Sequence, residues 1–287
     1  MPAIVIHKIS RVQHCIMAER TLSSEFRNVD NAETADHLVQ YLEYVDSLPE
    51  TRQLKVSSYG YLGILEGDTV LDAGCGPGYD ALRMAAMVGK TGKVIGIDLS
   101  ERMIAIAGAK AKGTGLPVSF RTIDVRKLPF PDASFDKIRI ERTLQILDNP
   151  DQILDEMIRV LRPGGRLLSI EPDWETFVCD PGSRDTARTF FRFCADQFPD
   201  GSTGRKLYRY FRERGLEDVV VHPEPLILHD FSLVAKMMNM EQFLSAAQEN
   251  GVLKPDEVTL WQQELKASDA KGQFTFAGMM FAVTGKK

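Results

Sequence analysis

From Asp68 onward, short apolar runs alternate with segments of helical period. Thr69–Ala73, Lys93–Leu99, Pro117–Ile123, Phe135–Ile140 and Arg166–Glu171 read as strands. Between them, Tyr79–Val88, Ser100 to Lys112 and Asn149 to Leu161 read as helices. The punctuation agrees. Gly89-Lys90-Thr91-Gly92 is a turn, Ser100 is an N-cap with Glu101 in the first turn, and Asn149-Pro150 joins a cap to a first-turn proline. Pro129, Pro131 and Asp132 mark a loop, and Arg162-Pro163-Gly164-Gly165 stops the last of these helices. Such alternation predicts an α/β fold, a doubly wound parallel sheet with helices on both faces.

The flanks break this rhythm. Leu38, Tyr41, Leu42 and Val45 recur at helical spacing, Pro49 interrupts, and a second helix is expected from Glu50 to Leu62. Beyond the fifth strand, helices are expected at Ser183–Gln197, Thr203–Arg214, Ser232–Asn250 and Pro255–Ala270, with strands at Val219–Leu228 and Phe274–Thr284. Late helices lying between strands of one sheet suit a lid. The expected organisation is a helical N-terminal cover over 1–60, a core over 61–172, and late strands with inserted lid helices over 173–287.

Composition narrows the function classes. A net charge of −5 argues against a non-specific nucleic-acid surface. Cys15, Cys75, Cys179 and Cys194 are scattered, without the short spacing of a zinc or redox pair, so reduced thiols and no metal are expected. His7 and Lys8 interrupt the apolar start, and no run approaches the ~18 residues of a membrane span, so a cytoplasmic protein is expected.

The chemistry centres on Val70-Leu71-Asp72-Ala73-Gly74-Cys75-Gly76-Pro77-Gly78-Tyr79-Asp80-Ala81. A strand runs into a loop with three alternating glycines and then into a helix. Glycines let backbone approach a bound molecule closely, and a helix start presents unpaired N–H groups. Asp98, ending the second strand, suits a ribose diol. Together they indicate a nucleoside-containing cofactor. A nicotinamide dinucleotide has similar requirements. Asp72, however, stands before the glycines, where a carboxylate repels pyrophosphate and attracts a cationic amino acid end. Asp124, after the third strand, can accept a hydrogen bond from an adenine amine.

These stretches, with Ile97-Asp98-Leu99-Ser100, Leu128-Pro129-Phe130, Ser134-Phe135-Asp136 and Val160–Gly165, resemble the class I S-adenosylmethionine-dependent methyltransferases, especially the small-molecule and quinone-biosynthesis type, over about residues 60–172. The resemblance implies a Rossmann-like seven-stranded sheet, mostly parallel with an antiparallel last strand. It implies S-adenosyl-L-methionine as cofactor, with S-adenosyl-L-homocysteine as product. Asp72, Ala73, Gly74, Cys75, Gly76 and Gly78 would surround the methionine moiety, and Asp98 the ribose hydroxyls. Leu99 and Met103 would flank the adenine, Asp124 and Val125 its edge, and Glu141 with Arg142 would lie near the methionine end. That pair departs from the small or neutral residues common there. An internal charge balance or a polar substrate contact both fit it.

Methyl transfer from a sulfonium is an in-line displacement that needs alignment more than acid–base groups. Glu171 and Asp173, following the fifth strand, are the candidates for a substrate or base role; a cap or a solvated carboxylate is the rival reading. His14, His37, His222 and His229 stand isolated. The basic run Arg205, Lys206, Arg209, Arg212 and Arg214 reads as a solvated helix face, with a phosphate or nucleic-acid patch as the rival. Met237, Met238 and Met240, with Phe243 and Leu244, read as core or as the wall of an apolar pocket. Glu141-Arg142-Thr143-Leu144 replaces the asparagine-proline-proline signature of many base and amide methyltransferases, which favours a small-molecule acceptor. The alternatives are an NAD(P)-dependent oxidoreductase, or a binding protein or cyclase on the same fold.

Overall fold

The computed structural model describes residues 25–26, 29–30 and 35–287. His14 and Cys15 lie outside them. Two helices, α1 (Ala35–Ser47) and α2 (Pro49–Leu62), precede the alternating region. Pro49 opens α2 and Gly63, left-handed at φ +64°, closes it. The alternating region follows as β1 (Thr69–Ala73), α3 (Tyr79–Met87), β2 (Lys93–Asp98), α4 (Glu101–Ala111), β3 (Val118–Thr122), β4 (Phe135–Glu141), a single 3₁₀ turn (Leu144–Ile146), α5 (Pro150–Val160) and β5 (Leu161–Asp180). The Ser100 hydroxyl accepts from the Met103 N–H at 3.1 Å, as expected of the cap. Asn149 holds the N-cap position of α5, but with a left-handed backbone at φ +59° and no side-chain cap bond.

The seven strands form one sheet in the order β3-β2-β1-β4-β5-β7-β6, where β6 is Glu217–Leu228 and β7 is Thr275–Lys286. The first five are parallel, and β7 runs antiparallel to both β5 and β6. Leu71, Ala73, Ile95, Ile97, Ile138, Ile140 and Leu167 pack with Ile153, Leu154 and Met157 of α5. Val70, Val94, Leu168 and Ile170 pack with Tyr59 and Leu62 of α2 and with Ala81, Met84 and Ala85 of α3. Alternate residues of each strand thus serve opposite helical layers. The strand order reverses between β1 and β4, and a crevice opens at the carboxyl ends of strands at such a switch point.

The helices α6 (Arg184–Asp196), α7 (Thr203–Glu213), α8 (Phe231–Met237), α9 (Met240–Glu249) and α10 (Pro255–Asp269) lie in sequence between β5 and β7. The single helix expected at Ser232–Asn250 is two, because Asn239 turns left-handed at φ +50° between α8 and α9. Phe190, Trp261, Phe243 and Phe276 lie in a further core formed largely by these elements.

Strand β5 starts earlier and ends later than the periodicity suggests. Phe135 pairs with Leu161 and Lys137 with Arg166, so Arg162–Gly165 bulge out inside the strand instead of preceding it. At its far end Asp173 pairs with Met279 and Val178 with Ala277. The four residues 174–177 thus face a single residue of β7, and this irregularity carries Trp174 and Phe177.

Gly78 opens α3 at φ +81°, and a Cβ there would lie 2.7 Å from Ala107 Cβ and 2.8 Å from Phe120 Cζ. Gly78 is therefore where α3 meets α4 and β3. Gly78→Ala is expected to destabilise the protein by about 2–4 kcal/mol, from overpacking and left-handed strain together. Urea unfolding measures this, and an unchanged midpoint would show that the junction has room.

Candidate active site

A cavity of about 500 Å³ lies at the switch point. Its wall includes Asp72, Gly74, Cys75, Gly76, Asp98, Leu99, Met103, Asp124, Val125, Glu141 and Arg142, which the chain brings together from β1, β2, β4, α4 and the loops that follow β1, β2, β3 and β4. Two expected residues are not on it. Ala73 is buried in the sheet core, and Gly78 faces α4 and β3.

The glycine loop is tied down by its neighbours. Cys75 N–H donates to Ile97 O at 2.8 Å, and Gly76 N–H to Asp98 Oδ2 at 2.9 Å. Asp98 Oδ1 accepts from Ser100 N–H at 3.0 Å. Burial raises the Asp98 pKa, against the pull of these N–H groups. A Cβ on Gly76, at φ +50°, would meet only Leu42 Cδ1, at 3.7 Å. The loop thus presents bare backbone to the cavity. The Cys75 thiol is buried and pushed well up by that burial, so it packs and does not ionise.

Behind the loop lies a buried charge cluster that sequence reasoning missed. Arg139 is in register with Asp72 across β4 and β1, and its residue exposure is only 2%. Its Nη1 lies 3.4 Å from Asp72 Oδ1 and 3.5 Å from Asp80 Oδ2, and its Nη2 donates to Glu141 Oε2. Lys55 and Tyr59, one turn apart on α2, both donate to Asp80. Lys55 Nζ is also 3.7 Å from Asp46 and 3.9 Å from Glu141. Arg83 grips Asp46 through both nitrogens, at 2.6 and 2.7 Å. Arg142 Nε lies 3.1 Å from Glu141 Oε1.

Burial raises the Asp72 carboxyl above its usual range, with Arg139 opposing. Burial also works on Asp80, but Arg139 and Lys55 outweigh it and hold that carboxyl well below the ordinary range. Among the described residues, Asp72 Oδ2 has no partner. An unpaired buried acceptor of this kind fits an incoming ammonium group. The signals were an arginine standing between Ile138 and Ile140 in a strand, and an i, i+4 Lys-Tyr pair on α2.

At the other end of the wall, Asp124 is half-exposed and forked by Arg126, whose Nε and Nη2 donate at 2.7–3.0 Å. Arg126 holds that carboxyl below its usual range. Leu99 is 53% exposed beside it, whereas Val125 and Met103 are buried.

The remaining wall is apolar: Phe26, Tyr41, Trp174, Phe177, Phe198, Met237, Met238 and Met280 among others. Trp174 stacks on Phe198 at 4.5 Å between centroids, and its Nε1 donates to Gln145 Oε1 at 2.7 Å. Of the methionine cluster, Met237 and Met238 reach this wall, while Met240, Phe243 and Leu244 are in the core.

The candidate carboxylates are elsewhere. Glu171 is fully buried, and its Oε1 accepts from Thr143 N–H at 2.9 Å and Leu144 N–H at 2.8 Å. It braces the turn after β4. Asp173, also buried, is held by Arg205. Neither lines the cavity, whereas Pro172 between them does. Cations of the basic helix α7 pair with carboxylates: Lys206 with Asp200, Arg209 with Glu213, and Arg214 with Asp151 and Asp155. His222 stacks on Tyr61, and His229 Nδ1 lies 3.1 Å from Phe274 O. Among the described residues no cluster of His, Cys, Asp or Glu suits a metal.

Comparison with known proteins agrees with this geometry. Residues 64–215, over half of the chain, match the model of a family described as a methyltransferase domain. An uncharacterized 37.1 kDa protein in transposon TN4556 of Streptomyces fradiae is 32% identical over 250 residues, covering 86% of this chain and 71% of that one. The ubiquinone/menaquinone biosynthesis C-methyltransferase UbiE of Escherichia coli is 39% identical over 111 residues, 38% of this chain and 44% of that enzyme. The match thus spans less than half of the length of UbiE. Phosphoethanolamine N-methyltransferase 2 of Haemonchus contortus, solved with S-adenosyl-L-methionine, superimposes with a TM-score of 0.59 at 18% identity, covering 91% of this chain and 60% of that one. That likeness concerns the fold alone. The chain belongs to the class I S-adenosylmethionine-dependent methyltransferases.

Burial pushes the Glu171 carboxyl up to about 8, from an ordinary value of 4.5. Between those values the folded chain holds a proton that the unfolded chain has released. The corresponding stability is therefore present below about pH 4.5 and is lost as pH rises through about 8. Glu171→Gln keeps the acceptor oxygen and removes the ionisation. Denaturant titrations are expected to find variant and wild type alike near pH 5, and the variant more stable by about 2–4 kcal/mol at pH 8. Parallel pH curves would mean an ordinary carboxyl.

Proposed function

We propose that this methyltransferase binds S-adenosyl-L-methionine along the Asp72–Gly76–Asp98–Asp124 wall and methylates a small molecule held against the aromatic wall. The observation that carries the reading is that the two walls belong to one cavity. The open space above Gly76 and the unpartnered Asp72 Oδ2 suit the methionine end. Asp98, pinned by two N–H groups, keeps lone pairs for the ribose diol. Leu99, Met103 and Val125 flank the adenine position, and Asp124 takes its amine by sharing its carboxylate with Arg126. Glu141 and Arg142 stand where the two walls meet. Pyrophosphate is disfavoured at the same loop, since Asp72 has no partner on one oxygen to offset the repulsion.

The small-molecule reading rests on the shape of the site and on relatives. Aromatic and methionine side chains line the acceptor wall, and α8 supplies Met237 over it. Quinone biosynthesis and phosphoethanolamine, in the names of the relatives above, are both small-molecule settings. When bound along the Asp72–Gly76–Asp98 wall, the cofactor would supply an activated methyl group for in-line displacement by the acceptor, with its sulfur as the leaving atom. The chain's own residues align the acceptor and exclude water. Trp174, Phe177 and Phe198 do the latter with apolar surface. We place the activity in the cytoplasm, consistent with free Cys75, Cys179 and Cys194. Among the described residues no helix is long and apolar enough to cross a membrane.

Two measurements test this. Asp98→Ala is expected to weaken S-adenosylmethionine binding by about 1–3 kcal/mol in calorimetry, since it strands the Gly76 and Ser100 N–H groups as well as the ribose. Unchanged affinity removes the ribose role. Incubation with methyl-labelled cofactor and a fractionated cell extract is expected to label low-molecular-weight products. Label confined to protein or nucleic acid would refute the small-molecule acceptor.

A further inference from the structure

Building on the proposed cofactor site, the charges around the cavity carry the argument one step further, to the class of acceptor. Four carboxylates (Asp46, Asp72, Asp80, Glu141) face four cations (Lys55, Arg83, Arg139, Arg142). Three of the cations are committed. Arg83 is held by both oxygens of Asp46, Lys55 by Asp80, and Arg139 by Asp72, Asp80 and Glu141. Arg142 makes one ion pair, through Nε, and Glu141 Oε1 gains no hydrogen bond from it among the described residues. Its Nε lies 3.1 Å from Glu141 Oε1, on a carboxylate whose other oxygen is taken by Arg139. Among the described residues, no hydrogen-bond acceptor engages its terminal nitrogens.

The fold fixes where that free end starts. Arg142 follows β4 with φ +49°, a left-handed backbone that a long side chain adopts only under constraint. The constraint is visible: its N–H donates to Ile170 O at 2.8 Å, and the next two N–H groups donate to buried Glu171. The residue lines the cavity, and its charge acts on the Tyr41 hydroxyl of the apolar wall.

That wall has little other polarity to offer. Tyr41 OH donates to Met237 O at 2.9 Å, Gln145 Oε1 accepts from Trp174, and Glu224 Oε1 accepts from Tyr61. Glu50 is exposed. Asp98 lines the same cavity with no cation paired to it among the described residues, so the cofactor's net positive charge meets a carboxylate there, and the anion reading rests on Arg142 itself.

We propose that the acceptor is a molecule with an apolar, ring-sized body and one anionic oxygen group, and that Arg142 is the residue that recognises the anion. The rings rest on Trp174, Phe177 and Phe198, and the guanidinium presents its paired N–H donors to the oxygens.

A matched probe pair tests this on the full chain saturated with S-adenosylhomocysteine. 1-Anilinonaphthalene-8-sulfonate and N-phenyl-1-naphthylamine share their rings and differ by the sulfonate. Fluorescence titration is expected to show the anionic probe binding at least about tenfold tighter, the low end for a hydrogen bond to a charged group. Arg142→Gln is expected to bring the two affinities together, and Arg142→Lys to leave an intermediate ratio. The ratio does not depend on the fraction of folded variant. Equal affinities in the wild type, a ratio that Arg142→Gln leaves intact, or binding of neither probe overturns the proposal. Calorimetry separates it from the cofactor reading. S-adenosylhomocysteine affinity within about threefold of wild type in Arg142→Gln supports an acceptor role. Its loss in that variant alone overturns the proposal by assigning Arg142 to the cofactor. Its absence in the wild type overturns the cofactor reading, while the probe ratio, repeated without the nucleoside, still decides the anion site.

Discussion

A guanidinium buried in the middle of a parallel sheet governs this molecule. Arg139 is 2% exposed, and a charge so placed is tolerable only if its partners are fixed around it. Its partners come from three elements: Asp72 at the end of β1, Asp80 in the first turn of α3, and Glu141 at the end of β4. Asp80 in turn holds Lys55 and Tyr59 of α2. One buried charge thus ties the N-terminal helices, the glycine loop and the switch point of the sheet into a single arrangement. Removing any one partner would leave an uncompensated charge in the interior, which costs far more than the pair itself contributes.

The wall proposed for the cofactor and the wall proposed for the acceptor are built by different means. The cofactor wall comes from strand ends and tight loops, where backbone N–H groups and aspartates meet within a short span of chain. The acceptor wall depends on long-range packing. The irregularity in β5 re-aims Trp174 and Phe177, α6 and its following turn bring Phe198, and the left-handed Asn239 ends α8 just after Met237 and Met238. Loops on a rigid sheet are the usual place for chemistry, and a parallel sheet concentrates them at one edge. Arg142 stands between the walls, in the strained turn that Glu171 braces from beneath.

Asp72 illustrates how much of the site was legible in advance. Its position before the glycines raised the expectation of a cationic group there, and among the described residues one of its oxygens has no partner. The sequence did not reveal that its other oxygen faces Arg139, because that pairing depends on the register of β1 against β4. Gly78 was read as part of the cofactor loop, yet a Cβ there would strike α4 and β3. Glu171 and Asp173 follow the fifth strand as expected of ligand contacts, but their side chains turn to the Thr143 turn and to Arg205.

The alternation of strands and helices, the glycine loop, and the acidic residues proposed for the cofactor could all be read from the chain alone. Each of these is encoded within about ten residues, by hydrophobic period, turn chemistry or the absence of a Cβ. The charge cluster, the aromatic wall and the position of Arg142 at the cavity became visible with the folded chain. Their members lie far apart along the chain, from Phe26 to Met280, and come together through strand register and helix packing. Buried charges and rings take their meaning from their neighbours, and those neighbours exist only once the sheet has closed.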